Sequence, residues 1–200
     1  MGEKLMSESA APSFPPSTPI PSGKLGMWVF LSSEIMLFGA FISAFIVLRM
    51  GSPNFGVPSE EVMGRPLATV NTFLLILSSF TMVLALAAIQ RDDRRSFARN
   101  MIATMGLGIL FLIVKMFEYH HKISEGLTIS SGLFGSFYFT LTGLHALHII
   151  GGLVFNGYVL RNGLRGRYSA RHHERVEYAG LYWHFVDLVW VILFPMFYLV

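Results

Sequence analysis

Tyr182-Trp183-His184-Phe185-Val186-Asp187-Leu188-Val189-Trp190 places an imidazole and a carboxylate inside an otherwise apolar C-terminal run. His184 and Asp187 stand three residues apart, a spacing that a helix turns onto one face. A carboxylate carried into hydrocarbon costs about 2.5–3.5 kcal/mol on insertion scales, so Asp187 is predicted to face protein rather than lipid. The stretch reads as one membrane helix packed among others.

The rest of the chain supplies those others. Hydrophobic residues make up 53% of it and charged residues only 14%, and the charges cluster between long apolar runs at 25–48, 67–89, 101–117, 133–160 and 179–200. Each run is roughly 17 residues or longer, enough for a helix to cross a hydrocarbon core of about 30 Å. A soluble helical domain would carry a polar face on every helix, and these runs do not. The prediction is an all-α, polytopic membrane protein: a five-helix domain over 23–200, with helices near 24–49, 67–90, 98–120, 133–161 and 177–200. Residues 1–22 are rich in Pro and Ser, are predicted to form a flexible tail, and lack the apolar core of a signal peptide.

Orientation follows from the basic residues. Arg91, Arg94, Arg95 and Arg99 crowd the connection between the second and third helices, and Arg161, Arg165, Arg167, Arg171 and Arg175 that between the fourth and fifth. The opposite loops hold Arg49, Arg65 and Lys122, beside Glu60, Glu61 and Glu125. This bias predicts a cytoplasmic N-terminus and an outer C-terminus. The net charge of +3 is accounted for by that retention signal and by anionic headgroups, so no nucleic-acid partner is expected. With no cysteine, disulfides, Cys-ligated zinc, iron–sulfur clusters and thiol nucleophiles are excluded.

Several ionisable groups fall at membrane depth. Glu34 lies ten residues beyond Lys24, about 15 Å along a helix. It shares a face with Met27, Phe30, Phe38, Phe41 and Phe45, beside a stripe of small residues, Gly26, Ser33, Ala40 and Ala44, suited to close helix approach. Two readings stay open for Glu34: a structural carboxyl bonded across a helix pair, or a titratable proton site. Lys115 and Glu118 are expected to pair within the third helix, with Lys115 able to snorkel outward. The hydroxyls of the second helix (Thr72, Ser78, Ser79 and Thr81) are expected to bond to their own backbone.

His145 and His148 lie one turn apart on the fourth helix, with no third ligand at a suitable spacing. They read as packing or hydrogen-bonding groups rather than metal or haem ligands. Measured from Arg175, His184 and Asp187 lie about 14 and 18 Å deep, and His148 about 20 Å from Arg161. Glu177, Gly180, His184 and Asp187 occupy one quarter of the last helix. Glu34, His148, His184 and Asp187 are therefore expected to join in a polar layer near mid-membrane. His120-His121 and His172-His173 read as surface imidazoles of loops.

Four segments, taken in order, resemble subunit III of haem–copper terminal oxidases. They are Trp28-Val29-Phe30-Leu31-Ser32-Ser33-Glu34-Ile35-Met36-Leu37-Phe38, Phe117-Glu118-Tyr119, Thr142-Gly143-Leu144-His145-Ala146-Leu147-His148 and the opening stretch at 182–190. The resemblance covers nearly all of 23–200 and implies the five-helix form found in many bacterial members. That form lacks the two helices that wall a lipid-holding cleft in longer relatives. It implies that Glu34, in its Ser-Glu-x-Met-x-Phe context, is the family's carbodiimide-reactive carboxyl. It further implies a chain in the bacterial plasma (inner) membrane with no haem or copper of its own, these being carried by subunits I and II. A small subunit IV and phospholipids are further expected partners. The implied role is to support proton uptake, protect the active site during turnover and stabilise a complex that reduces O₂ to water. The alternatives are the equivalent subunit of a quinol oxidase or nitric oxide reductase complex, or a standalone proton or ion carrier built on Glu34. A b-type cytochrome using His145, His148 and His184 is disfavoured by the short histidine spacing.

Overall fold

A computed structural model describes residues 22–52, 55–56 and 64–199. The predicted tail, Ser22 apart, lies outside the described residues, as do Glu60 and Glu61. Five helices follow one another: α1 (Ser22–Gly51), α2 (Arg65–Gln90), α3 (Arg94–Ser124), α4 (Leu133–Leu164) and α5 (Glu174–Tyr198). They run from 25 to 32 residues, and all five are long and apolar enough to cross a membrane. Among the described residues the one departure from helix pairing is an isolated bridge between Ser169 and His172.

Local chemistry sets the helix boundaries. Pro66 sits in the first turn of α2, where its missing N–H costs nothing. The α2–α3 turn is three residues long, with Asp92 at φ 58°, a conformation Asp tolerates better than most residues. Asp93 caps α3, its Oδ1 accepting from the amides of Arg95 and Ser96 at 3.1 and 3.0 Å. The Ser96 hydroxyl, then the Ser96 amide and more weakly the Arg95 amide, hold the Asp93 carboxyl below its usual 3.8. α3 runs to Ser124, so Lys122, expected in a loop, belongs to the helix. Four residues after Glu118, it stands one turn along on the same face.

α2 and α3 form the most extensive antiparallel pair. α5 packs against α2 and α4, α3 against α4, and α1 leans lightly on α5 and α4. Phe38 and Phe45 are its buried residues. The small stripe of α1 does not serve the bundle, because Gly26, Ser33, Ala40 and Ala44 all face outward. A helix seats on its bulkiest complementary side chains, and here those are the phenylalanines. Phe45 meets Phe55, Phe137 and Phe197 edge to face.

At the centre Trp183 is fully buried, its Nε1 donating to Ser78 Oγ at 3.0 Å. Two glycines make room for the indole. A Cβ on Gly108 or on Gly152 would lie 2.8 Å from a ring carbon. α3, α4 and α5 can approach one another there only because neither position has a side chain.

Two outcomes follow. Gly152→Val should lower the stability of the assembled protein by about 1–3 kcal/mol, the range for overpacking, read as a drop in melting temperature with Gly157→Val as the milder control. The Asp93 cap contributes fully above the ordinary carboxylate pKa and is lost as pH falls through its lower folded value. The protection factors of the Arg95 and Ser96 amides, taken relative to the intrinsic exchange rate at each pH, should therefore fall on acidification, and in Asp93→Ala they should already be low at neutral pH.

Candidate functional site

Glu34 and His148 meet where α1 leans on α4. Glu34 Oε2 lies 2.9 Å from His148 Nε2, with the two side chains 16% and 14% exposed. His148 stands midway along α4, and its Nδ1 is 2.8 Å from the Leu144 carbonyl. A carbonyl only accepts, so Nδ1 carries a hydrogen. Nε2 then either accepts from a protonated Glu34 or donates to its carboxylate. One proton placed on either side satisfies the same hydrogen bond, which is the chemistry of a site that holds and passes a proton. The Tyr182 hydroxyl donates to the His148 carbonyl at 3.0 Å, and Phe38 packs edge-on to the imidazole.

The pair is not part of a continuous polar layer. His184 Nδ1 shares a hydrogen bond of 2.7 Å with Ser79 Oγ on α2. Asp187 is buried, and neither carboxylate oxygen has a hydrogen-bond partner. The nearest hydroxyls, Ser79 and Ser78, are turned to His184 and to the Leu75 carbonyl. No hydrogen bond joins Glu34 and His148 to His184 or Asp187. The cause is rotational: α1 and α2 approach α5 from different sides, so α5 divides its polar residues between them.

His145 is buried, stacked on Trp190 at 5.1 Å and met edge-on by Phe111. Neither ring nitrogen has a hydrogen-bond partner. One turn from His148, it points into the aromatic core while His148 turns to α1, so the two do not converge. Among the described residues no three His, Asp or Glu side chains are grouped to hold a metal.

A second polar cluster closes the end of the bundle opposite the arginines. Glu118 Oε1 is 2.7 Å from Lys122 Nζ, and its Oε2 is 3.2 Å from Lys115 Nζ. The hydroxyls of Tyr138, at 2.8 Å, and of Tyr198 also donate to Oε1. Lys115 donates to Tyr138 and Tyr198 at 3.0 and 2.7 Å, and Lys122 donates to Tyr138 at 2.9 Å. Both ammoniums lie over aromatic faces, Lys122 4.1 Å above Tyr138 and Lys115 4.7 Å from the Trp190 ring. The expected Lys115–Glu118 pair is present, but Lys115 turns inward instead of snorkelling, because the tyrosines of α4 and α5 complete its shell. The sequence reading left Lys122 in a loop and missed it as the third member, although its four-residue spacing from Glu118 was a signal that could have found it; nothing local signalled Tyr138 or Tyr198.

Two more contacts escape a reading by motif. Lys24 Nζ lies 2.6 Å from Glu177 Oε1, tying the start of α1 to α5. The α2 hydroxyls reach across helices as well as to their own backbone: Thr72 accepts from Trp190 at 3.0 Å, and Thr81 bonds Thr104 at 2.7 Å.

A family described as cytochrome c oxidase subunit III matches residues 18–200. A cytochrome c oxidase subunit 3 of Synechocystis sp. is 39% identical over 87% of this chain and 74% of its own length. One from Thermostichus vulcanus is 35% identical over 88% and 86%. A probable quinol oxidase subunit 3 of Staphylococcus aureus is 33% identical over 88% of each chain.

The two buried carboxyls should respond differently to neutral replacement. Glu118→Gln leaves two buried ammoniums short of their counter-ion and should cost about 3–5 kcal/mol. Asp187→Asn removes no ion pair and should cost about 1 kcal/mol or less. Thermal unfolding of the assembled complex carrying each variant checks the order.

Proposed function

The chain belongs to the cytochrome c oxidase subunit III family of haem–copper oxidases, and on that footing we propose that it serves the oxidase as a proton-handling and stabilising subunit without a redox centre of its own. The complex reduces O₂ to water coupled to proton translocation. Haem and copper reside on subunits I and II, a small subunit IV accompanies them, and phospholipid fills the seams between helices. The complex sits in a bacterial plasma membrane, with the arginine-rich end of this chain on the cytoplasmic side.

One observation carries this reading: the Glu34–His148 bond at mid-helix, which is satisfied with its proton on either partner. A carboxyl so held exchanges a proton without leaving a bare charge in hydrocarbon. The Glu118 cluster has the opposite character, since its carboxylate is locked by two ammoniums and two phenols. The first suits proton exchange and the second suits holding α3, α4 and α5 together. Cytochrome c is proposed as electron donor, a reading supported by the higher identity to the two oxidases of that name. The staphylococcal relative supports a second reading, a quinol-fed complex.

The test uses the whole oxidase. Glu34→Gln removes a charge-assisted hydrogen bond, about 1.5–3 kcal/mol. It should slow proton uptake roughly tenfold or more, slow O₂ consumption with it because water formation consumes the protons taken up, and shorten the operational lifetime. Unchanged uptake and lifetime would sink the proposal. O₂ consumption with reduced cytochrome c against quinol decides the donor.

A further inference from the structure

We infer that Asp187, Ser79 and His184 form a second proton relay, in which a carboxyl enclosed between α2 and α5 exchanges its proton with the outer face of the bundle through a hydroxyl and an imidazole. All three lie on the α2–α5 seam, whereas Glu34 meets His148 on the α1–α4 seam. No hydrogen bond among the described residues joins the two sites. The relay therefore goes beyond the role given to Glu34 and does not depend on it.

Asp187 is the enclosed end. It is 5% exposed, and both of its carboxyl oxygens are buried without a hydrogen-bond partner. A bare carboxylate so placed is costly, whereas the carboxylic acid carries a hydrogen that it can give. Its polar neighbours are the hydroxyls of Ser79 and Ser78 on α2. Ser78 is already engaged, donating to the Leu75 carbonyl at 2.7 Å and accepting from Trp183 Nε1 at 3.0 Å. Ser79 has one bond, 2.7 Å to His184 Nδ1. A hydroxyl has one hydrogen and two lone pairs, so a Ser79 that donates to Nδ1 still accepts from Asp187. The last torsion of an Asp side chain moves in a broad well, and a turn of the carboxyl brings its O–H to the Ser79 oxygen.

His184 is the open end. Its Nε2 takes no hydrogen bond among the described residues and, unlike the Asp187 oxygens, is not enclosed. The imidazole shares its face of α5 with Leu188 and Val191, both exposed. With Nδ1 accepting from Ser79, the neutral ring carries its hydrogen on Nε2. The transfer then balances. The Asp187 O–H bond breaks as Ser79 Oγ gains that hydrogen, and Ser79 passes its own hydrogen to Nδ1. The imidazole, now with a hydrogen on each nitrogen, releases one from Nε2 to water at the outer face. Asp187 is left as a carboxylate beside the Ser79 hydroxyl, and the same steps in reverse refill it.

The test uses the intact oxidase in phosphatidylcholine nanodiscs, produced with carboxyl-labelled carbon-13 aspartate. Infrared spectroscopy follows the acid C=O bands after transfer to D₂O. The band that Asp187→Asn removes belongs to Asp187, and that variant assembles because it breaks no ion pair. In the parent this band should shift as the acid is deuterated. Ser79→Ala and His184→Phe should each slow the shift roughly tenfold or more, while Ser79→Thr, which keeps the hydroxyl, should exchange at the parent rate. A merely structural role for Ser79 or His184 would lower the melting temperature and leave the exchange rate unmoved. The inference is overturned if Asp187→Asn removes no acid band, if the parent band does not exchange, or if Ser79→Ala and His184→Phe exchange as fast as the parent. Glu34→Gln should leave exchange at Asp187 unchanged, and a slowing there would overturn the claim of a separate relay.

Discussion

A charged group inside the bilayer is stabilised by partners that the protein supplies, because lipid offers none. The bundle is arranged around that constraint. Lys24 meets Glu177 near the arginine-rich end, Glu34 meets His148 midway, and Glu118 gathers two lysines and two tyrosines at the other end. Each of these three sets of contacts bridges different helices, so they act as rivets along the bundle, while His145 and Asp187 are buried with no hydrogen-bond partner. Apolar packing fills the space between them, centred on Trp183 in its cradle of Gly108 and Gly152.

The rivets differ in what they do. The Glu118 cluster is over-determined: its carboxylate takes bonds from both ammoniums and both phenols, and its aromatic walls exclude lipid. Such a group is a poor proton carrier, since moving one charge strands the others. The Glu34–His148 bond has one proton and two places for it. It also sits where α1 rests most lightly on its neighbours, with polar groups still slightly exposed. The structure thus ties α3, α4 and α5 together through the Glu118 cluster and leaves the Glu34–His148 pair at the α1 seam.

Much was legible beforehand. Five long apolar runs, three of them broken by a single charged residue (Glu34, Lys115 and Asp187), read as membrane helices, and the family resemblance of the four segments is supported by the match over residues 18–200. Glu34 was singled out beforehand by its distance from Lys24, and the structure sets it against His148, midway along α4. Its partner was not, because two histidines, His148 on α4 and His184 on α5, lay within the same broad layer. Helical spacing ranks faces but does not fix how far one helix is rotated toward another. For the same reason Asp187 and His184 shared a face and yet found different surroundings. Lys122 was misplaced because a charge near the end of an apolar run reads as a loop. The helix in fact continues, with the charge inside it.

Periodicity, hydropathy and charge bias by themselves determined the helix number, the membrane setting and which residues had to be sheltered. These properties belong to single segments, and a segment's partition into lipid depends on its own composition. Which acid meets which base was decided only by the tertiary structure. A contact of under 3 Å between Glu34 and His148, 114 residues apart, depends on helix rotation, and that rotation is set by side chains such as Phe38, Phe45 and Trp183 packing across several helices at once.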